Sequence, residues 1–578
     1  MTSDTKPRRD FLNLGWTLGL GAVLPAALTA CGSDAKTTTL GPVVNIPAET
    51  FVAPQVLASV NGVLDITLTL SYVQKTLNGK PFVLRSINQS IPAPTLRVNA
   101  GDTLRIKVVN QLPANPPSTE PASHLRYPNS TNLHTHGLHV SPGVVGNLYG
   151  DYVMDDPKLG VQPGQTRQHE YKIGADHPPG AYWYHPHLHG STAIQVGSGM
   201  AGALMIRGAI DKVPEIAAAA ERIFMIQGPI SGKSTPGRLE SFTDVAAVLP
   251  DGEMLINGVR RPLMVMRRGE VQNWHFINAQ ITRYLKLSLE GHVLNAYSHD
   301  GNPRATFRVI RGDGAEGLVM APGNRDSVLV QAGAPGTYNL RTLPYNMGMS
   351  ADLPGEILAV LVVVDEAMPV PMSLPFSLPP PPLALRHIDD AELARGGGLK
   401  RNIVMRAVFN DAGPITNPPA SNLVQPPAGE LQDWQYQTDG TFMADTVFAM
   451  GSAAQVSSTN PGFPSQFMPF QSSRAQKQVV TLGSVEEWTV YNMNGIQHPF
   501  HIHVNPFQVI KINGAPIEPF WADTIGLPVG GTPENPTSIT FRTRFLDFSG
   551  SYVMHCHILS HEDMGMMQTI EVADSVAR

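Results

Sequence analysis

GDTLRIKVVN (residues 101–110), GEVQNWHFIN (269–278) and GSVEEWTVYN (483–492) are three versions of one pattern. Each opens on a glycine, closes on an asparagine nine residues later, and alternates apolar with polar positions between them. That period is what a strand with one buried face requires. A second shared block follows each copy: GAYWYH (180–185), GTYNLR (336–341) and GSYVMH (550–555), lying 79, 67 and 67 residues further on. Short strands between Gly and Pro turns, recurring in units of about 150 residues, predict an all-β chain of three consecutive β-sandwich or barrel domains. The composition agrees. A chain of 578 residues is too long for one core, and 53 Gly and 51 Pro make it rich in turns. Charged residues are only 15% and the net charge is −6. No basic excess points to nucleic acid.

The copies differ where chemistry is concerned. The second block ends on His185 in copy one and His555 in copy three, but on Arg341 in the middle copy, which has neither an H-x-H pair nor a cysteine. Spacing and scaffolding are expected of it. The outer copies carry HTH (134–136), HPH (185–187), HPFHIH (498–503) and HCHILSHEDMGM (555–566). On a strand, the two histidines of H-x-H share a face with Cα atoms roughly 6.6 Å apart, suited to one metal or two adjacent ones. Any single pair fits zinc, a cupin-type site or plain surface as well. The last string is more restrictive. A thiolate, two imidazoles and a weak axial thioether make a blue-copper site; here Cys556, His561 and Met566 are supplied together, and a second imidazole must come from elsewhere. Side chains alternate along a strand, so Cys556 points one way and His555 and His557 the other. One strand can then serve two metal centres a few covalent bonds apart. The ligands of copies one and three must meet, so the chain is expected to curl until they touch.

The N-terminus carries Pro7-Arg8-Arg9-Asp10-Phe11-Leu12, a twin-arginine pattern, then an apolar stretch from Leu14 to Leu28. The stretch is too short and glycine-containing for a permanent membrane span. Leu28-Thr29-Ala30-Cys31 resembles a bacterial lipobox, which would make Cys31 a lipid anchor; ordinary cleavage near Ala30 is the alternative. The layout is therefore a twin-arginine signal with a lipobox-like end (1–31), a polar tether (32–50), copy one (51–210), copy two (211–365), a Pro-rich linker (366–400) and copy three (401–578). The expected location is the periplasm or cell envelope, as a lipoprotein. Residues 411–475, rich in Pro, Ser and Asn, read as long loops that could shape a donor pocket.

The four histidine segments resemble the copper-binding segments of the multicopper oxidases, the family of laccases and bacterial copper-efflux oxidases, from about residue 50 to the C-terminus. The resemblance implies three cupredoxin-like Greek-key domains and four copper ions. His498, Cys556 and His561, with Met566 axial, would hold the type 1 copper. His134 and His501 would hold the type 2 copper, and His136, His185, His187, His503, His555 and His557 the type 3 pair. Glu562 matches the family's acidic residue on the proton path. Asp151 is a second candidate acid, with Asp155 and Asp156 competing for the role. His498 and His561 are expected on connecting loops, while His139, His177 and His189 read as supporting or packing residues.

The implied activity is one-electron oxidation of a donor coupled to four-electron reduction of O2 to water, chemistry that no side chain performs alone. A methionine axial ligand lowers the type 1 potential and favours easily oxidised donors, phenols or Cu(I). The 22 methionines are scattered, with minor pairs at Met347/Met349 and Met368/Met372 that read as core or linker. A laccase-like oxidase of phenols therefore leads. A cuprous oxidase in envelope copper detoxification is the alternative, and a non-catalytic copper-binding protein a more distant one. Copper nitrite reductases lack the full set of H-x-H pairs.

Overall fold

The computed structural model describes residues 50–77, 80–117, 126–154, 160–228, 254–314, 316–349, 351–409, 446–452, 466–468, 470, 477–532 and 534–574. The twin-arginine segment, Cys31, most of the tether, Asp155, Asp156 and most of 411–475 lie outside them. The rest is all-β, in six sheets, two drawn from each copy. No helix among the described residues is long and apolar enough to cross a membrane.

The sequence repeat is a structural repeat. In every copy the first repeated block forms a strand paired in parallel with an earlier one: Thr103–Asn110 with Val63–Leu77, Val271–Asn278 with Ala220–Gln227, and Ser484–Asn492 with Lys400–Phe409. The opening glycines need their freedom, because Gly101, Gly269 and Gly483 have φ of 94°, 78° and 90°. The closing asparagine does the same work three times. Its Oδ1 accepts the N–H two residues on (Leu112, Gln280, Asn494), and its Nδ2 donates to two carbonyls, one of them distant (Val161, Met320, Pro528). Each is fully buried, so all of its polar atoms need such partners. The tyrosine of the second block is also shared: the hydroxyls of Tyr182 and Tyr338 donate to carbonyls four residues upstream, and that of Tyr552 accepts from Asn505. These are corner residues, independent of metal.

The smaller sheets explain which copies carry histidines. In copy three, Pro499–Ile502 pairs with Gly550–Cys556 and sets His501 opposite His555. In copy one, His134–His136 pairs with Gly180–His185 and sets His134 opposite His185. The middle counterpart is Leu285–Leu289 against Gly336–Thr342, where Ser288 stands opposite Arg341 in place of the two histidines and Arg341 turns to an ion pair with Glu290.

The Pro-rich stretch is no free spacer. Met372, Leu374 and Leu378 pack on Val271 and Leu329, covering the outer face of the middle copy's sheet. With Met372, Leu374 and Leu378 over the Val271 end of that face and copy-one residues such as Trp183 and Ile194 clustered with Ile277 at the other, Val271–Asn278 is buried along its whole length, whereas Thr103–Asn110 alternates. The stretch continues into a short helix, Asp390–Arg395, capped by Asp389, whose side chain accepts the Glu392 N–H.

Candidate metal centre

Two donor sets meet on the strand Gly550–Cys556. The first gathers Cys556 Sγ, His498 Nδ1 and His561 Nδ1. The sulfur lies 3.5 and 3.8 Å from the two nitrogens, which are 3.3 Å apart. His498 comes from the turn before Pro499–Ile502. His561 lies in a short helix, Leu559–Asp563, rather than on a connecting loop; five residues are too few to show a helical period in the sequence. Cys556 and His498 are buried and His561 is partly exposed. Met566 is buried in the same core as Cys556, and its backbone ties the set together: its C=O accepts the Cys556 N–H, and its N–H donates to the His561 C=O.

The second set joins copies one and three. His187 Nε2 and His503 Nε2 lie 3.0 and 3.3 Å from His555 Nε2, and His557 Nε2 lies 3.2 Å from His136 Nδ1. His134 stacks on His503 and His136 on His501, with ring centroids 3.8 and 3.9 Å apart. Five of the eight rings anchor one nitrogen on the protein: His134 Nδ1 to Asp151, His136 Nε2 to Asp523, His185 Nδ1 to Pro186 O, His501 Nδ1 to Asp523 O and His555 Nδ1 to Cys556 O. The opposite nitrogens of His134, His185 and His501 are buried without a protein partner. Anchoring one nitrogen and leaving the other bare is how metal-ligating histidines are oriented.

The electrostatics fit a cation. Burial, and for most of them the neighbouring imidazoles, hold His134, His136, His187, His503, His555, His557 and His561 well below the usual range, and bring His185 and His498 to about 3. All of these rings are therefore neutral, with lone pairs free to ligate. Burial pushes the Cys556 thiol up, so its thiolate needs a cation beside it. One thiolate and two imidazoles suit copper better than a hard cation.

Acidic groups surround the second set. Glu562 is fully buried, with Oε1 3.7 Å from His187 Nδ1 and Oε2 unpartnered. Asp563 turns to copy one and accepts the N–H groups of Gly190, Thr192 and Ala193. Burial raises both, Asp563 to about 7 and Glu562, which also faces the Asp563 charge, well above the usual carboxylate range. Three N–H donors make Asp563 the ionised member of the pair and Glu562 the protonated one. Asp151 is also buried, which raises it to about 7, although Thr135 donates to it from both N and Oγ1.

The structure gathers every histidine predicted as a ligand, together with Cys556, into these two sets. His139 and His177 bond to each other, with His139 reaching Val504 O and Asp547, and His189 packs edge-on against Phe470. Sequence reasoning missed Asp563, Asp523, Thr524, Arg325 and Asp300. Asp563 had a signal, its place beside Glu562. The other four have none, since nothing in their spacing links them to the histidines.

An all-β chain of three like repeats thus brings a cysteine-bearing donor set beside an eight-histidine cluster, a donor chemistry suited to copper. Residues 443–576, and residues 69–119 with 123–210, match the family models for multicopper oxidases. A laccase of Bacillus stratosphericus is 24% identical over 540 residues, covering 85% of this chain and 91% of its own. A multicopper oxidase of Campylobacter jejuni, described as a metallo-oxidase, superposes with a TM-score of 0.62 at 23% identity, over 91% of this chain and 96% of that one. A laccase-like enzyme of Ochrobactrum, described as having oxidase activity towards lignin model compounds, gives 0.62 at 20% identity, over 91% of this chain and all of that one (100%). The chain belongs to the multicopper oxidase family and is an oxidoreductase, with copper the cofactor that membership implies.

Proposed function

We propose that the protein is a laccase-like oxidase, coupling one-electron oxidation of phenolic donors to four-electron reduction of O2 to water. His498, Cys556, His561 and Met566 would hold one type 1 copper; His134 and His501 one type 2 copper; and His136, His185, His187, His503, His555 and His557 a type 3 pair. Copper so held supplies the one-electron and O2 chemistry that side chains lack. The observation that carries the reading is the position of Cys556 in one donor set between His555 and His557 in the other. Its sulfur is joined to both imidazoles through a few bonds of backbone, a short route for electrons.

The chain's own groups do the rest. The partly exposed His561 gives the first set an edge that a donor can approach. Protonated Glu562 holds a proton beside His187, and Asp151 holds His134 in one orientation and takes or gives a proton there. Burial of the second set excludes bulk water, so protons move through these acids.

A phenolic donor is favoured over Cu(I) because the methionines serve packing. Met347 lies in the core, Met372 packs under the middle sheet, and among the described residues Met349 is the methionine left exposed. The Campylobacter metallo-oxidase keeps Cu(I) oxidation as the second reading. Oxygen uptake by purified, copper-loaded protein, with a phenol and Cu(I) in parallel, tests both. Uptake with the phenol, abolished by Cys556→Ser, supports the proposal; uptake with Cu(I) alone moves it to copper detoxification; none with either sinks it. Export through the twin-arginine segment to the periplasm or cell envelope, with lipid on Cys31, belongs to the same proposal. Incorporation of labelled fatty acid, lost in Cys31→Ser, checks the anchor.

A further inference from the structure

The middle copy, devoid of ligand histidines, reaches into the histidine cluster. Arg325 is fully buried, and its two terminal nitrogens grip both oxygens of Asp523 at 2.8 and 2.6 Å. The fork is held from behind: Arg325 Nη1 also donates to the Gly323 carbonyl, and the Arg325 N–H donates to Asp300 Oδ1. Asp300 in turn accepts the backbone N–H groups of Asp523 and Thr524 through Oδ2, so the middle copy grips both the main chain and the side chain of this pair.

Asp523 and Thr524 are what the cluster feels. Asp523 Oδ1 lies 3.1 Å from His136 Nε2 and 3.5 Å from His501 Nδ1. Thr524 Oγ1 lies 3.2 and 3.0 Å from the same two nitrogens and donates to Asp523 Oδ1. The packing leaves no slack. Gly137, next to His136, has φ +86°, and a Cβ there would sit 2.2 Å from Arg325 Nη2. A Cβ on Gly323 would come within 3.0 Å of His557 and 3.1 Å of His136.

We propose that Arg325 and Asp300 are positioning residues of the cluster: they fix Asp523 and Thr524, which set the orientation and tautomer of His136 and His501. With His136 Nε2 committed to Asp523, Nδ1 is the nitrogen that faces His557. The inference rests on the reading that these histidines hold copper. Carboxylates behind ligating histidines typically matter by 10–100-fold in metal affinity; here the carboxylate is itself held by a guanidinium from another domain. Lysine would keep the charge but lose the fork.

The test is copper affinity by chelator competition on the full-length protein, with the visible absorption of the Cys556 centre followed alongside. Arg325→Gln and the near-isosteric Thr524→Val are expected to weaken copper in the histidine cluster about 10–100-fold while leaving the Cys556 colour intact, and Arg325→Lys to fall between. Arg542→Gln, which cuts a buried ion pair elsewhere in copy three, controls for mere destabilisation and should leave cluster affinity unchanged. If Arg325→Gln does not fold, Thr524→Val carries the test. Wild-type affinity in the foldable variants, or an equal loss in the control, overturns the inference alone. Wild-type protein that binds copper only at Cys556 overturns the underlying reading and the inference with it.

Discussion

Asp563→Asn perturbs stability and proton chemistry at once. Asp563 Oδ1 accepts the Gly190 and Thr192 N–H groups at 2.7 and 3.1 Å, and Oδ2 accepts that of Ala193 at 2.7 Å. An amide keeps one oxygen, so one buried N–H loses its acceptor and meets an NH2 group. A donor stranded in this way costs about 1–3 kcal/mol, and the loss falls on the contact between copies three and one. The second effect is on Glu562, whose pKa is raised first by burial and then by the Asp563 charge. A neighbouring negative charge disfavours a second carboxylate, so removing it should lower the Glu562 pKa. Glu562 gives a proton only when protonated, and its contribution is lost as pH rises through its pKa. The alkaline limb of the oxygen-uptake profile should therefore move to lower pH, with the urea midpoint reduced and copper content intact. A variant with full copper and an unmoved limb would show that the two acids are not coupled and refute the assignment of Glu562 as the protonated one.

Glu562→Gln keeps the shape but cannot release a proton; oxygen uptake should fall about 10²–10⁴-fold with the visible colour unchanged, and a wild-type rate would remove Glu562 from the proton path. Asn278→Ala strips a fully buried side chain that serves Gln280 N, Arg283 O and Met320 O, and should cost about 3 kcal/mol, read as a lower denaturation midpoint with no spectral change. His299 is desolvated, which lowers its pKa, but the charges of Asp300 and Asp326 more than offset this and raise it. Its stabilisation is full below the unfolded value of about 6.5 and fades as pH rises through the higher folded value. The stability gap between wild type and His299→Gln should accordingly narrow on the alkaline side, and a gap constant with pH would contradict this.

The three-fold repeat was legible because its signals are local. A glycine at positive φ, an asparagine closing its own turn and, in the first two copies, a tyrosine bonded four residues back each leave a fixed spacing. The donor histidines and Cys556 were legible because ligation demands particular side chains at strand spacing. What stayed hidden is held by partners distant in sequence. Asp523 meets His136 across 387 residues and Arg325 across 198, distances over which no period survives. The docking of Met372, Leu374 and Leu378 was hidden for another reason: three apolar residues scattered among prolines form no periodic face.

The pairing of His501 with His555 and of Cys556 N–H with Met566 O places the decisive contacts near the end of the chain. During synthesis the earlier domains can fold first, but the strand Gly550–Cys556 and its neighbour Met567–Ala573 emerge after the strands they complete. A chain that stops short of this strand carries seven of the ten donor histidines and no Cys556. Neither donor set can close until the strand Gly550–Cys556 is in place, so metal loading reads out whether copy three has folded onto copy one.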